Sequence, residues 1–262
     1  MKIAFAQIEP RFGDPAANRA AARRLIFSLD ADLFVLPELF NTGYLFSSAD
    51  ECAALAEAVP GGETTAQLIE WAQCKRCFLV AGLAEKQGVR IYNSCVLVGP
   101  DGHLATYRKI HLFDREKLCF SPGQDPFAVV AAGGIKIGMM ICFDWIFPES
   151  MRSLALAGAD LVCHPANLVL PHCHAAMITR CLENGVYAVT ANRTGEEKRA
   201  GHCLTFTGGS QIVAPGGEVL ARAASQGEEI GVAEIDPKRA RGKKVTERNH
   251  LFDDRRPELY GV

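Results

Sequence analysis

KIAFAQIEPRFGDPAANRAAARRLIFSLDADLFVLP, residues 2–37, decides the fold class. KIAFAQI (2–8) is an apolar run of strand length. After a turn, Asp14-Pro15 offers a capping side chain followed by proline at the first helical position, leading into AANRAAARRLIFSL. Ala31-Asp32 then punctuates the chain before a second buried strand, LFVLP. Strand, helix, strand is the signature of a parallel α/β unit.

Outward from there, 49–58 and 64–76 read as helices, and FLVAGLAE (78–85) as a strand. YNSCVLVGPDGHLATYRK (92–109) reads as a hairpin turning at Pro100-Asp101-Gly102. The second half follows the same plan. IKIGMMIC (135–142) is a buried strand, and a helix runs from Pro148 to Gly158. Ala159-Asp160-Leu161 then leads into LVCHP, as Ala31-Asp32-Leu33 leads into FVLP. Either the chain contains an internal repeat or both halves share βαβ grammar. A helix near 173–185, the strand VYAVTANR, and strands near 204–214 and 229–235 follow. No linker or low-complexity segment intervenes, so one domain over 1–262 is expected, with 249–262 as a C-terminal tail.

Composition narrows the function classes. The 262 residues are 48% hydrophobic, enough to exclude disorder, and 24 glycines with 13 prolines exclude a coiled coil. Lys+Arg at 28 against Asp+Glu at 30 gives a net charge of -2, which suggests neither nucleic acid nor an anionic membrane as partner. Glu9, Arg11 and Asp14 interrupt any signal-like apolar core at the start. The most apolar later stretch, 127–143, carries Lys136 and a Gly133-Gly134 pair and is too short for a membrane span. A cytoplasmic location is the default expectation, with the ten cysteines as reduced thiols.

Ligands of α/β sheets bind beyond the carboxyl ends of strands. Three reactive residues stand at such ends: Glu38 after LFVLP, Lys109 after HLATYR, and Cys142 after IKIGMMI. A thiol that attacks, a carboxylate that takes and returns a proton, and a cation that stabilises an oxyanion are the parts of acyl transfer. Each alone also has a plain reading, as a solvated strand end or a packed thiol.

PELF (37–40), YRKIHLF (107–113), EKLCFSPG (116–123) and ICFDWIFPES (141–150) resemble, in order and spacing, the signatures of the nitrilase or carbon–nitrogen hydrolase superfamily. HPAN (164–167), RCLENGVYAVTANRTG (180–195) and DDRRPELY (253–260) extend the resemblance over essentially the whole chain. It implies a four-layer α-β-β-α sandwich and a catalytic triad of Glu38, Lys109 and Cys142. Glu116 matches a second glutamate seen in many members. Phe143 N–H and Lys109 would form the oxyanion hole. The implied activity is hydrolysis of a small amide through a cysteine thioester, with N-carbamoyl amidohydrolase or nitrilase as alternatives and no metal or organic cofactor. A non-catalytic binding member of the fold is the remote alternative. A homodimer, or an assembly of dimers, is implied through the helix after Pro148, the segment 173–185 and the tail.

Departures from the family pattern bear on substrate. Many members carry arginine after the nucleophile, where this chain reads Asp144-Trp145-Ile146-Phe147, and tryptophan after PAN, where it has Leu168. Tyr44, Phe46, Phe120, Trp145 and Leu168 suggest an apolar acyl pocket, joined by Asn167 as a substrate contact. Neutral amides are therefore favoured, with Arg180 and Arg193 left as possible carboxylate contacts. Cys74 and Cys77 have redox spacing without a second pair, and His172-Cys173-His174 with His164 nearby mimics a metal cluster without an acidic partner.

Overall fold

The computed structural model describes residues 1–261. The first half comprises β1 (Lys2–Gln7), α1 (Pro15–Ile26), β2 (Leu33–Val35), α2 (Ala49–Leu55), α3 (Glu63–Lys75), β3 (Phe78–Gln87), β4 (Arg90–Gly99) and β5 (Gly102–Arg108). The second comprises β6 (Val129–Ala132), β7 (Ile135–Met139), α4 (Pro148–Leu156), β8 (Leu161–Ala166), α5 (Cys173–Asn184) and β9 (Tyr187–Asn192). It continues with β10 (Glu196–Arg199), β11 (His202–Thr205), β12 (Gln211–Val213), β13 (Val219–Arg222), β14 (Glu229–Glu234) and α6 (Pro237–Arg241).

Two six-stranded sheets, ordered β14-β1-β2-β3-β4-β5 and β13-β12-β9-β8-β7-β6, pack face to face. In the first sheet, Ile3, Phe5, Leu33, Val35 and Val80 join the core between the sheets. The alternate residues Ala4, Ala6, Phe34 and Leu79 meet Ile26 of α1 and Leu68 and Trp71 of α3 on the outer side. Met151 and Leu154 of α4 and Met177 of α5 cover the second sheet. The order helix, sheet, sheet, helix is the four-layer sandwich expected. Each fully buried aliphatic or aromatic side chain of these layers stabilises the fold by about 1.5–3 kcal/mol.

The helix boundaries have local causes. Asp14 Oδ1 accepts from Ala17 N at 3.0 Å and Pro15 opens α1. α3 and α5 stop at left-handed residues, Arg76 and Gly185.

The echo between the halves is a true structural repeat. Three parallel strands, β1-β2-β3 and β7-β8-β9, form the middle of each sheet. One antiparallel strand (β14 or β6) flanks the first of each trio, and two (β4 and β5, or β12 and β13) flank the third. Asp32 Oδ2 accepts from Lys2 N at 2.7 Å, and Asp160 Oδ2 from Lys136 N at 3.0 Å. The Asp-Leu pairs therefore mark equivalent strand starts. By the same equivalence Glu38 stands opposite Ala166, and Cys142 opposite Ile8, so the repeat builds one reactive centre and not two.

Edges were harder to read. The stretch 204–214 divides between β11 and β12, and β6, β10, β13 and α6 carried no sequence signal. In the tail, Leu251 packs on Gly185, and Phe252 lies beneath Arg152 and Lys243 of the same chain, whereas Leu259 and Tyr260 stay exposed. Among the described residues, no helix is long and apolar enough to cross a membrane.

Candidate active site

The strand ends bring the expected groups together around Lys109. β5 delivers Lys109 into the interior, where its N–H donates to Asn93 O and its carbonyl accepts from Gly123 N, each at 2.8 Å. Its ammonium, fully buried, donates to Glu38 Oε1 at 2.6 Å and Glu116 Oε1 at 2.7 Å. Asn93 Nδ2 gives Glu38 Oε1 a second donor at 2.7 Å, while Glu38 Oε2 is buried with no partner. The Tyr44 hydroxyl donates to Glu116 Oε1 at 2.7 Å, and Phe113 N to Glu116 Oε2 at 3.2 Å. One carboxylate is thus saturated and the other keeps an oxygen free.

Backbone proximity holds Glu38 in place. Leu39 follows it at φ 47°, and a Cβ on Gly82 would stand 2.5 Å from the Glu38 Cα. Gly82 also exchanges hydrogen bonds with this turn, donating to Pro37 O at 3.1 Å and accepting from Phe40 N at 3.0 Å.

Charges in this dry space act strongly on one another. Burial lowers the Lys109 proton affinity, but Glu116 and Glu38 outweigh it, so its pKa is raised and the ammonium persists. Burial, opposed by Lys109 and assisted by Glu38, raises the Glu116 carboxyl to about 7. Burial and the neighbouring carboxylates also hold the Tyr44 phenol well above its usual range, so it remains a donor.

Cys142 opens a single turn of 3-10 helix, Cys142–Ile146, three residues beyond the end of β7. Its φ of 41° is the left-handed conformation, which costs a non-glycine residue about 1–3 kcal/mol and persists only when its surroundings enforce it. Two buried groups do so. Asp144 Oδ2 accepts from Ile141 N at 2.8 Å and the Tyr107 hydroxyl at 2.7 Å, while Oδ1 meets His111 Nδ1 at 2.7 Å. His164 Nε2 lies 2.9 Å from Cys142 O, and Nδ1 3.1 Å from Thr190 Oγ1. Burial pushes His164 down to about 4, so the ring is neutral near pH 7. Because a carbonyl only accepts, Nε2 carries the proton and Nδ1 accepts from Thr190.

Cys142 is buried, 5% exposed, and shares a cleft with Phe113, Phe143 and Leu168. Burial first, then Glu38, raises its thiol well above the ordinary value, with Lys109 opposing. The resting sulfur therefore keeps its proton at neutral pH. The Asn167 backbone opposes that rise slightly, and both polar atoms of the Asn167 side chain are buried without partners.

A narrow cleft of about 10 Å³ is lined by Cys142, Phe143, Trp145, Asn167 and Leu168, with Phe113 as one wall. Phe113 also walls a neighbouring cavity of about 60 Å³ lined by Tyr44, Phe46, Glu116 and Phe120. Cys142, Glu116 and the anticipated acyl-pocket residues accordingly line two spaces that share Phe113, while Glu38 and Lys109 lie behind them and line neither. Arg180 and Arg193 do not reach either: Arg180 is held by Glu183 and the Trp145 and Ile146 carbonyls, and Arg193 by Glu197 and Pro10 O. His174 contacts Gly208 O, Cys74 is exposed and Cys77 buried. Asn93, Gly82, Gly123, Asp144 and the His164 contact went unread in the sequence, although Asp144 stands inside a recognised motif.

The profile of the Carbon-nitrogen hydrolase family matches residues 2–244. A protein named "Nitrilase" from Pyrococcus abyssi is 49% identical over 263 residues, covering 99% of both chains. The crystal structure of a carbon-nitrogen hydrolase from Helicobacter pylori G27 superposes with a TM-score of 0.89 at 27% identity, covering 99% of this chain and 96% of that one. An amidase variant from Nesterenkonia sp. AN1, in which acrylamide has added to the active-site cysteine, gives a TM-score of 0.78 at 27% identity, covering 93% and 96%. The match to the family model over nearly the whole chain and the 49% identity to a full-length relative show that the chain belongs to the carbon–nitrogen hydrolase family.

Proposed function

We propose that the protein hydrolyses a small linear amide to its carboxylic acid and ammonia, with Glu38, Lys109 and Cys142 as the catalytic triad. The observation that carries this reading is the division of labour at Glu38: Oε1 is bound by Lys109 and Asn93, and buried Oε2 has no partner. Since the thiol keeps its proton, attack is coupled to proton transfer from Sγ to Oε2, and no free thiolate is stored. Sulfur bonds to the amide carbon as the C=O pair moves onto oxygen, where the Lys109 ammonium and the Phe143 N–H stabilise it. Glu38 returns the proton to nitrogen, ammonia departs and a thioester remains. Water then attacks the thioester as Glu38 takes its proton, the C–S bond breaks, and Glu38 returns that proton to Sγ, so the acid departs and the Cys142 thiol is restored. Glu116 and Tyr44 hold the ammonium between the carboxylates. Asn167, with its unpartnered amide, and Trp145 and Leu168 line the acyl side. No step draws on a metal or organic cofactor.

Ten unpaired thiols suit a reducing compartment, and we place the protein in the cytoplasm as a homodimer. The test is ammonia release over a panel of amides, N-carbamoyl compounds and nitriles, with Cys142→Ala as the blank. Amides are expected to turn over fastest, and Cys142→Ala to lose at least about 10³-fold. Fastest release from nitriles or ureides would move the substrate class, and activity surviving in Cys142→Ala would remove the nucleophile.

A further inference from the structure

We propose that Arg115 sets the specificity of this site and that the preferred substrates are short amides whose acyl chain ends in a carboxylate. This rests on the amidase reading and narrows it. Arg115 stands immediately before Glu116 in the one-turn helix Asp114–Leu118 and lines the 60 Å³ cavity. Its Nε is buried without a partner, and no carboxylate among the described residues pairs with its guanidinium. By contrast, Arg108 pairs with Glu85, Arg193 with Glu197 and Arg199 with Glu51.

Glu116 shares the cavity but spends Oε1 on Lys109 and Tyr44 and Oε2 on Phe113 N. A half-buried guanidinium facing aromatic walls therefore lacks an anion, and the missing anion fits a ligand. Phe113 lines both this cavity and the cleft at Cys142, so an acyl chain with its carbonyl at the thiol would reach Arg115 by passing the Phe113 ring. A planar fork takes a carboxylate through paired N–H bonds. One unmatched cation, with Glu116 and Asp114 in the same lining, favours a monoanion over a dianion. The small volume limits the chain to a few carbons. The neutral preference expected from the absent post-nucleophile arginine is thereby reversed, because the cation enters from the opposite wall.

The experiment compares kcat/KM for succinamic and glutaramic acids with butanamide and pentanamide, in wild type, Arg115→Met and Arg115→Lys. Wild type is expected to favour the acids, and Arg115→Met to lower that ratio roughly tenfold to hundredfold, chiefly through KM, the range of one charge-assisted pair. Arg115→Lys should retain part of the ratio. A wild type that favours the neutral amides, or a ratio that Arg115→Met leaves unmoved, overturns the inference while the amidase reading stands. If no amide turns over, that reading fails, and the carboxylate site is read from thermal melts with succinate against butyrate. A midpoint raised by succinate in wild type but not in Arg115→Met supports Arg115, and equal midpoints overturn it.

Discussion

At the residue scale, the site depends as much on atoms that are missing as on those present. Gly82 matters because a methyl group there would collide with the Glu38 backbone at 2.5 Å and Pro37 O at 2.8 Å. Gly82→Ala is expected to lower kcat at least about tenfold and stability by about 1–3 kcal/mol, since neither backbone can yield without moving Glu38. Gly61→Ala, where nothing lies within 4 Å, is the control for ammonia release and melting. Equal behaviour of the two variants would show that Glu38 tolerates displacement. Glu116 predicts the pH response. Its carboxyl is raised to about 7, so it is ionised above that pH and gains a proton below it. Protonation strips Lys109 of one charged partner, and kcat/KM is expected to fall as pH drops through about 7, with an apparent value belonging to the cluster. Glu116→Gln removes the titrating group, so the acid limb should move to lower pH while the plateau drops. A pH–rate profile whose limb stays put in that variant would assign the titration to another group.

At the element scale, the nucleophile turn is held from three sides: by Asp144 within the turn, by Tyr107 and His111 from the first half, and by His164 from β8. Asp144→Asn keeps the shape but turns one of the two carboxylate oxygens into an NH2 donor that faces the donors of either Ile141 and Tyr107 or His111. A loss of about 1–3 kcal/mol is expected, together with slower iodoacetamide labelling of Cys142 as its left-handed geometry relaxes. Melting and mass spectrometry of the labelled peptide check this, and unchanged labelling would free the turn from Asp144. The same elements show what a sequence reveals. β1, β2 and β8 are buried on both faces along almost their whole length, so they appear as largely apolar runs, and β7 is broken only by exposed Lys136. β10 reads EEKR because it lies in a two-stranded ribbon, where Glu197 alone is buried, against Arg193 and the Tyr44 and Leu45 N–H groups. Glu38, Lys109 and Cys142 were legible because strand ends and motif spacing both point to them. Asn93 was not, since a polar residue inside an apolar strand gains its meaning only once β4 lies beside Lys109 and Glu38.

At the scale of the whole molecule, the two-fold repeat leaves one outer layer unlike the other. α4 and α5 pack together over the second sheet and keep Leu156 45% and Leu182 55% exposed, while the tail presents Leu259 at 66% and Tyr260 at 52%. The tail's earlier apolar pair packs on its own chain, Leu251 against Gly185 and Phe252 under Arg152 and Lys243, so folding back covers only half of the tail's apolar side chains. Apolar side chains on two adjoining helices and a chain end form the kind of surface that a second copy covers, and a stable interface needs about 1,200–2,000 Å² in total. Light scattering at micromolar concentration is expected to give a dimer of twice 28.4 kDa, or a multiple of it. Truncation after Thr246 would remove the Leu251 and Phe252 anchors along with the exposed end, and so cannot separate folding from assembly. Leu182→Glu and a truncation after Arg256 leave those anchors in place. Both should lower the assembly size, Leu182→Glu through a buried unpaired charge that opposes association by several kcal/mol. A 28.4 kDa species from the unaltered protein would refute the dimer, and a dimer indifferent to both changes would move the interface to another face.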